Sequence, residues 1–460
     1  MNPEINVVIL AAGLGTRMKS RRAKVLHRAG GLTLVEHVVN TAMEITPPER
    51  ITVVVGHQAD SVKKALSHRP VQFIEQAEQK GTGHAVMMCR DLLAERSGLV
   101  AVIYGDGPLL SAETLRLLIE KQIESDTAAT LITTILENPR GYGRVLLDSG
   151  GMVSAIVEEK AATPEQAAVR LVNSGIYCFR ADLLWKYIDE IRPENPAHEY
   201  YLTDMPEIFR RAGYRVANFE LADPAELLAI NNRVELAEVD AIMRHRKARE
   251  LMLAGVTIEK PETVTIDAGV RMGIDCTVGP FAQILGDSVI GDDCEIGASS
   301  VIRNSILADG VKIEPFTHIA DSRIDAGAHI GPFARLRMNN VIGAGAHIGN
   351  FVEFKNTRFG AGAKASHLAY LGDSEIGESA NIGAGTITCN YDGIKKHKTR
   401  IGPNAFIGSN STLVAPVEIG ENAYVGAGSV ITKPVPPKAL ALGRGRQIIK
   451  EGWVEKRKGK

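Results

Sequence analysis

Over roughly its last 200 residues the chain carries an apolar side chain at every sixth position, a period that fits neither the 2 of a strand nor the 3.6 of a helix. Ile266, Met272, Val278, Ile284, Ile290, Ile296 and Ile302 share one register. Ile324, Ile330, Leu336, Ile342, Ile348 and Phe354 share a second, and Ile401, Ile407, Leu413, Ile419, Val425 and Ile431 a third. With 45% apolar residues, seven successive hits in one register arise by chance about 0.4% of the time, so ordinary apolar content does not account for them. A coiled ribbon does. Short rungs point Ile, Leu or Val inward, a small residue such as Gly turns each corner, and three rungs close a triangular coil. No single coil can bury its own face, so many must stack.

This pattern resembles the hexapeptide β-helix. The resemblance implies a left-handed parallel β-helix with about 18 residues per coil, hence roughly nine coils over residues 264–433. Where the register slips, the ribbon must bulge or extrude a loop, and loops on rigid scaffolds commonly carry binding residues. One break lies between Phe359 and Ile376 and holds Lys364, Ser366, His367 and Tyr370; another lies between Ile382 and Ile401 and holds Cys389, Asn390, Tyr391 and Asp392.

Before residue 233 the pattern changes. Apolar runs at Ile5–Leu10, Arg50–Val55, Val71–Ile74 and Leu99–Tyr104 predict strands, and they alternate with helical patterns at Leu34–Met43, His84–Leu93 and Ala112–Ile123. This predicts a doubly wound, Rossmann-like α/β sheet. From Pro224 to Leu253 strand formers are nearly absent and the pattern predicts one long helix, a spacer whose basic stretch Arg244, Arg246, Lys247 and Arg249 forms a solvated face. The expected domains are therefore 1–232, a linker helix at 233–253, and 254–460 with its basic tail, solvated beyond Trp453.

Charge narrows the partners. Lys and Arg total 53 against 54 Asp and Glu, a net charge of -1 that gives no global case for nucleic acid or membrane, so any anion site must be local. The five cysteines form no CxxC pair and are odd in number, which fits reduced, mostly buried thiols and a cytoplasmic protein. No apolar run near the start approaches the ~18 residues of a membrane span.

Candidate chemistry begins at Leu10-Ala11-Ala12-Gly13-Leu14-Gly15-Thr16-Arg17-Met18, directly after the first strand, where a Gly-rich loop lets backbone N–H groups approach phosphates. No Gly-Lys-Ser/Thr follows, and Met18 stands where a dinucleotide fingerprint has its third Gly. Lys24, Gln76, Gly81, Thr82 and the strand-end Tyr104-Gly105-Asp106 accompany the loop. Together these segments resemble the sugar-phosphate nucleotidyltransferases. With Gly141-Tyr142-Gly143-Arg144, Glu158, Asn173, Asn231-Asn232-Arg233, the hexads and His367-Leu-Ala-Tyr370, the chain resembles the bifunctional N-acetylglucosamine-1-phosphate uridyltransferase/glucosamine-1-phosphate acetyltransferase family over about residues 5–452.

That resemblance implies two transfers serving cell-wall and lipopolysaccharide precursor synthesis. In the first domain a sugar phosphate attacks the α-phosphorus of UTP; Asp106 and Asn231 hold Mg²⁺, Arg17 and Lys24 stabilise the triphosphate, and the Leu10–Gly13 loop lies on it. Gln76, Gly81 and Thr82 read uracil, Tyr104 and Gly105 line the site, and Gly141, Glu158 and Asn173 bind N-acetylglucosamine. In the second domain His367 is the general base, histidine being the side-chain type suited to move a proton at the working pH. Arg337 and Lys355 hold the sugar phosphate, and Tyr370, Asn381, Asn390 and Tyr391 complete that site, the last two towards acetyl-CoA. Ala384, Ser409, Ala427 and Arg444 contact acetyl-CoA. Met338 departs from the family, which commonly has Pro after the matched Arg337. A homotrimer is implied, without nucleic acid or membrane insertion. Two rival readings are a single-activity nucleotidyltransferase whose hexads only oligomerise it, and a silent scaffold; His367 with Asn390-Tyr391 and Arg17, Lys24 and Asp106 speak against them.

Overall fold

In the first half, strand residues are apolar on both sides, and the computed structural model shows why. It describes residues 3–195, 197–221 and 223–458 and divides into two compact units, Met1–Met243 and Arg244–Lys460. In the first unit the strand Ile5–Ala11 buries Val8 and Leu10 in one apolar cluster and Val7, Ile9 and Ala11 in another. Its sheet is therefore covered on both faces, as parallel sheets must be. The order is Val216–Glu220, Ala129–Ile135, Leu171–Arg180, Leu99–Tyr104, Ile5–Ala11, Ile51–Val55, Gln72–Glu75. Only Leu171–Arg180 runs antiparallel to its neighbours along this path. The C-terminal ends of Ile5–Ala11 and Leu99–Tyr104 lie side by side, Leu10 opposite Tyr104. Ligands of open α/β sheets bind at that edge.

Two predicted helices are corrected. The pattern at His84–Leu93 divides into Thr82–Met87 and Arg90–Leu93, because the Cys89 amide bonds to Val86 O, three residues back, and tightens the turn. The helix expected from Pro224 begins only at Arg233 and runs to Leu253. Asn232 Oδ1 accepts from the amides of Val234 (2.9 Å) and Glu235 (3.1 Å) and so caps it there. Nor is it a bare spacer with a wholly solvated basic face. Up to Met243 it packs Leu236, Val239 and Ile242 onto Met18, Ala29 and Leu34. From Arg244 it buries Ala248 and Leu251 in the second unit, where Arg244 donates to Asp267 Oδ1 at 2.9 Å.

The second unit is a stack of rungs two to four residues long in three parallel sheets of eleven, ten and nine strands, which makes nine complete coils. One ladder stacks Val278, Ile296, Ile313, Ile330, Ile348, Ala365, Ile382, Ile407 and Val425, all buried. Each large side chain so buried is worth about 1.5–3 kcal/mol. The break expected between Phe359 and Ile376 extrudes no loop: Ala365 and Leu371 point inward there, and Ala365 is too small to register among Ile, Leu and Val. The second break does extrude one. Phe359 and Ile376 pair across 17 positions, whereas Ile376 and Ile401 pair across 25. The surplus forms a loop in which Asp392 accepts from the Ile394 amide at 2.8 Å and contacts His397 Nε2 at 2.7 Å. Beyond the prism, Trp453–Lys458 forms a short helix rather than an unstructured tail, with Arg457 5.0 Å from the centre of the Trp453 ring. Among the described residues no helix is long and apolar enough to cross a membrane.

Candidate active sites

In the first unit the Gly-rich loop turns back on Lys24. Gly15 has φ 60°, and a Cβ there would stand 2.6 Å from Lys24 Cβ, so only glycine lets the loop lie this close. Lys24 Nζ contacts Asp106 and lies 3.4 Å from Asn231 Oδ1, to which Arg17 Nη2 donates at 2.8 Å. Asp106 is buried at the end of its strand, and Asn231 arrives on the extended segment before the capped helix. The two expected cations and the two expected metal ligands thus form one network.

Around it lie two cavities that share Lys24, Thr82, Tyr104 and Asp106. One, of about 400 Å³, is lined by Leu10, Ala11, Ala12, Gly13, Gln76 and Gly81. Buried Gln76 donates to Gly81 O at 3.1 Å and meets His84 Nδ1 at 3.0 Å, so its amide plane is fixed. The other, of about 610 Å³, takes in Arg17, Gly141, Glu158, Asn173 and Asn231. Gly105, expected to line the site, lines neither cavity, although Tyr104 and Asp106 on either side of it line both; its amide donates to Leu10 O at 2.9 Å. Asn173 Oδ1 accepts from the Gly175 amide and the Tyr177 hydroxyl. Burial raises the Glu158 carboxyl and the Tyr104 hydroxyl above their ordinary values, the mark of a partly desolvated pocket. Tyr201 and Thr203 also line it and went unread in the sequence. No local pattern marks them: they are brought in by Tyr200, whose amide donates to Lys80 O and whose carbonyl accepts from Gly83 N, both at 2.8 Å.

In the second unit Arg337, Lys355 and Gly372 pair on successive rungs. Arg337 binds Glu353 at 2.7 Å, Lys355 lies 3.5 Å from Asp373, and Asn390 donates to Asp373 at 2.6 Å. A Cβ at Gly372 would collide with the Tyr370 hydroxyl and the Asn390 amide, so that glycine makes room for both. The extruded loop adds a residue that the sequence did not single out. The neighbouring Lys355 ammonium chiefly, with Arg337 adding to it, lowers the proton affinity of Lys396, as like charges brought close together do. Three cations thus meet over two carboxylates, an arrangement suited to a phosphate. Met338 and Asn339 both adopt left-handed φ, 64° and 57°, which Pro's locked φ forbids, so this corner differs in backbone from one bearing Pro.

His367 lies one edge away, exposed, with Nδ1 2.7 Å from Asn350 Oδ1. Ala384, Ser409 and Ala427 each stand two residues after an inward Ile or Val of the ladder and so share one corner of successive coils. Backbone bonds run up it from Asn410 N to Ala384 O (2.7 Å) and from Gly428 N to Ser409 O (2.8 Å). Arg444 closes it by donating to Ala427 O at 2.8 Å. Asn381 lies on the rung beside Lys364, and Tyr391 stands exposed on the extruded loop. Neither is hydrogen-bonded to His367 among the described residues.

Comparison with known proteins agrees with this division. Profiles of the MobA-like NTP transferase domain, the GMPPB C-terminal domain and the bacterial transferase hexapeptide (six repeats) match residues 7–172, 256–350 and 398–433. A protein of Solibacter usitatus (strain Ellin6076) named bifunctional protein GlmU is 59% identical over 100% of this chain and 98% of its own length. Proteins of the same name from Koribacter versatilis (strain Ellin345) and Anaeromyxobacter dehalogenans (strain 2CP-C) are 48% and 49% identical, over 99% and 98% of this chain and 98% and 92% of theirs. With likeness of this depth along its whole length, the chain belongs to the GlmU family of bifunctional proteins.

Proposed function

We propose that the second unit acetylates glucosamine-1-phosphate with acetyl-CoA and that the first transfers UMP from UTP to the N-acetylglucosamine-1-phosphate so made, releasing UDP-N-acetylglucosamine and pyrophosphate for cell-wall and lipopolysaccharide precursors. The observation that carries the reading is the joining of Arg17, Lys24, Asp106 and Asn231 in one network above two cavities, one fitted to a base and the other to a sugar.

In uridyl transfer two anions must meet, so positive charge is indispensable. Asp106 and Asn231 both turn an oxygen to the Lys24 ammonium, a donor set that fits a hard cation, and they would hold Mg²⁺. The ion, when bound, neutralises charge on the phosphates. Arg17 and Lys24 bind the triphosphate, and the sugar phosphate oxygen displaces pyrophosphate in line. Gln76, Gly81 and Thr82 hold the uracil; Gly141, Glu158 and Asn173 hold the N-acetyl sugar.

In acetyl transfer the amine nitrogen forms a bond to the acetyl carbon, the thioester C–S bond breaks, and His367 removes the amine proton. The phosphate rests on Arg337, Lys355 and Lys396, with Tyr370, Asn381, Asn390 and Tyr391 about the sugar and Ala384, Ser409, Ala427 and Arg444 along acetyl-CoA. His367 and Lys355 stand at opposite edges of one face, and each pocket closes between chains of a homotrimer, with His367 of one chain facing the cations of the next. Unpaired thiols at all five cysteines suit the cytoplasm.

The test supplies purified protein with UTP, Mg²⁺, acetyl-CoA and glucosamine-1-phosphate, and follows CoA and pyrophosphate separately. Both should appear, pyrophosphate only after CoA. Pyrophosphate from other sugar phosphates without CoA release would favour the single-activity rival.

A further inference from the structure

Behind the loop that carries Lys24, Ser20, Arg21, Arg22, Leu26, His27, Gln58, Ser61 and Arg233 line a depression of about 620 Å³. It shares no lining residue with either cavity of the nucleotide site. None of its lining residues is acidic, and among the described residues Arg21, Arg22 and Arg233 have no carboxylate within ion-pair distance. In a chain of net charge -1, three guanidinium groups around one hollow without a counterion are not a product of overall composition.

The hollow is built rather than incidental. Gln58 holds the backbone of its rim, accepting from the Ala23 amide at 2.9 Å and donating to Arg21 O, while the Arg22 amide donates to Ser20 Oγ at 3.0 Å. His27 is the one buried polar side chain in the lining. Its Nδ1 accepts from Arg233 Nη1 at 3.2 Å, which places the ring proton on Nε2, and Nε2 has no partner. Burial first, then Arg233 and Arg22, depress the proton affinity of His27, so both guanidinium groups bear on the ring.

We propose that this depression is a second anion site, which takes a phosphate group, either free phosphate or pyrophosphate or the phosphate end of a small ester. Phosphate oxygens match guanidinium forks bidentately, and the hydroxyls of Ser20 and Ser61 add neutral donors. The site is independent of the nucleotide reading: it concerns arginines that reading does not use.

Calorimetric titration of the full chain at low salt in chelator tests it, with inorganic phosphate, pyrophosphate and phenyl phosphate as separate probes. All measurements use an Arg17→Ala background, so that the triphosphate position does not compete. Binding should survive in that background, weaken about tenfold or more when Arg21→Ala and Arg22→Ala are added, weaken similarly with Arg233→Ala, and be unaltered by Arg28→Ala, a nearby exposed control. All five arginines are exposed, so their loss does not hollow the core. Pyrophosphate as the tightest probe marks a free anion as the ligand; phenyl phosphate as the tightest marks an ester. No binding of any probe, or equal binding with and without Arg21 and Arg22, overturns the proposal.

Discussion

Asn350 Oδ1 lies 2.7 Å from His367 Nδ1, and the two residues face each other on neighbouring rungs of one ladder. A carboxamide oxygen only accepts, so it fixes the ring proton on Nδ1 and leaves the Nε2 lone pair to receive one from substrate. His367→Ala should lower CoA release by roughly 10²-fold or more, and Asn350→Ala by about tenfold, with pyrophosphate release from N-acetylglucosamine-1-phosphate retained in both. Unchanged CoA release in His367→Ala would reduce the histidine to a structural role.

Asp106→Ala should abolish pyrophosphate release, as should excess chelator with the parent protein, because the approach of phosphate to triphosphate is then uncompensated. CoA release should persist in both cases. Full uridyl transfer without the carboxylate would sink the metal assignment.

The extruded loop brings Lys396 near Lys355 and Arg337, whose charges lower its proton affinity, and cations gathered in this way favour an anion among them. Lys396→Ala should therefore raise KM for glucosamine-1-phosphate about tenfold, the worth of one charge-assisted hydrogen bond, and leave KM for acetyl-CoA near its original value. Equal effects on both constants would argue for disruption of the loop.

The first unit ends inside a helix, and Val239 and Ile242 pack there against Met18, the residue after Arg17. A fragment ending at 232 should be less stable than one ending at 243 by about 2–4 kcal/mol, the scale of deleted core side chains, and slower in uridyl transfer. Urea unfolding and pyrophosphate release on both fragments check this; indistinguishable fragments would show that residues 233–243 add nothing to the first site.

Burial, helped by Glu207 and Glu158, pushes the Asp204 carboxyl up to about 6 from its ordinary 3.8. A carboxyl raised on folding holds its proton more tightly folded than unfolded. Its penalty is thus absent below about pH 4 and grows until the group is ionised above pH 6. Asp204→Asn should stabilise the protein by about 1 kcal/mol at pH 8, after solvent screening is allowed for, and leave pH 4 unchanged. An equal gain at both pH values would exclude titration as the cause.

Periodicity alone determined the prism, because inward Ile, Leu and Val must recur wherever a rung closes a coil. It likewise determined the strands Ile51–Val55 and Leu99–Tyr104, whose runs of apolar residues answer to a sheet covered on both faces. Arg17, Lys24 and Asp106 were singled out through the resemblance their motifs carry, and the structure brings the three together with Asn231. Ala365 hid a rung, since a methyl group fills an inward place without looking hydrophobic enough to count. The linker helix was placed at 233–253, where it is found, although the helical pattern alone ran back to Pro224; Asn232 fixes the start by capping rather than by propensity. Tyr201, Lys396 and the Arg22–His27–Arg233 hollow had no signature, because their positions are set by contacts between segments distant in sequence: Tyr200 with Lys80, Lys396 with Lys355, Arg233 with His27. A sequence records which residues want burial and where the chain can turn; which charged groups end up facing one another is decided only when those segments pack.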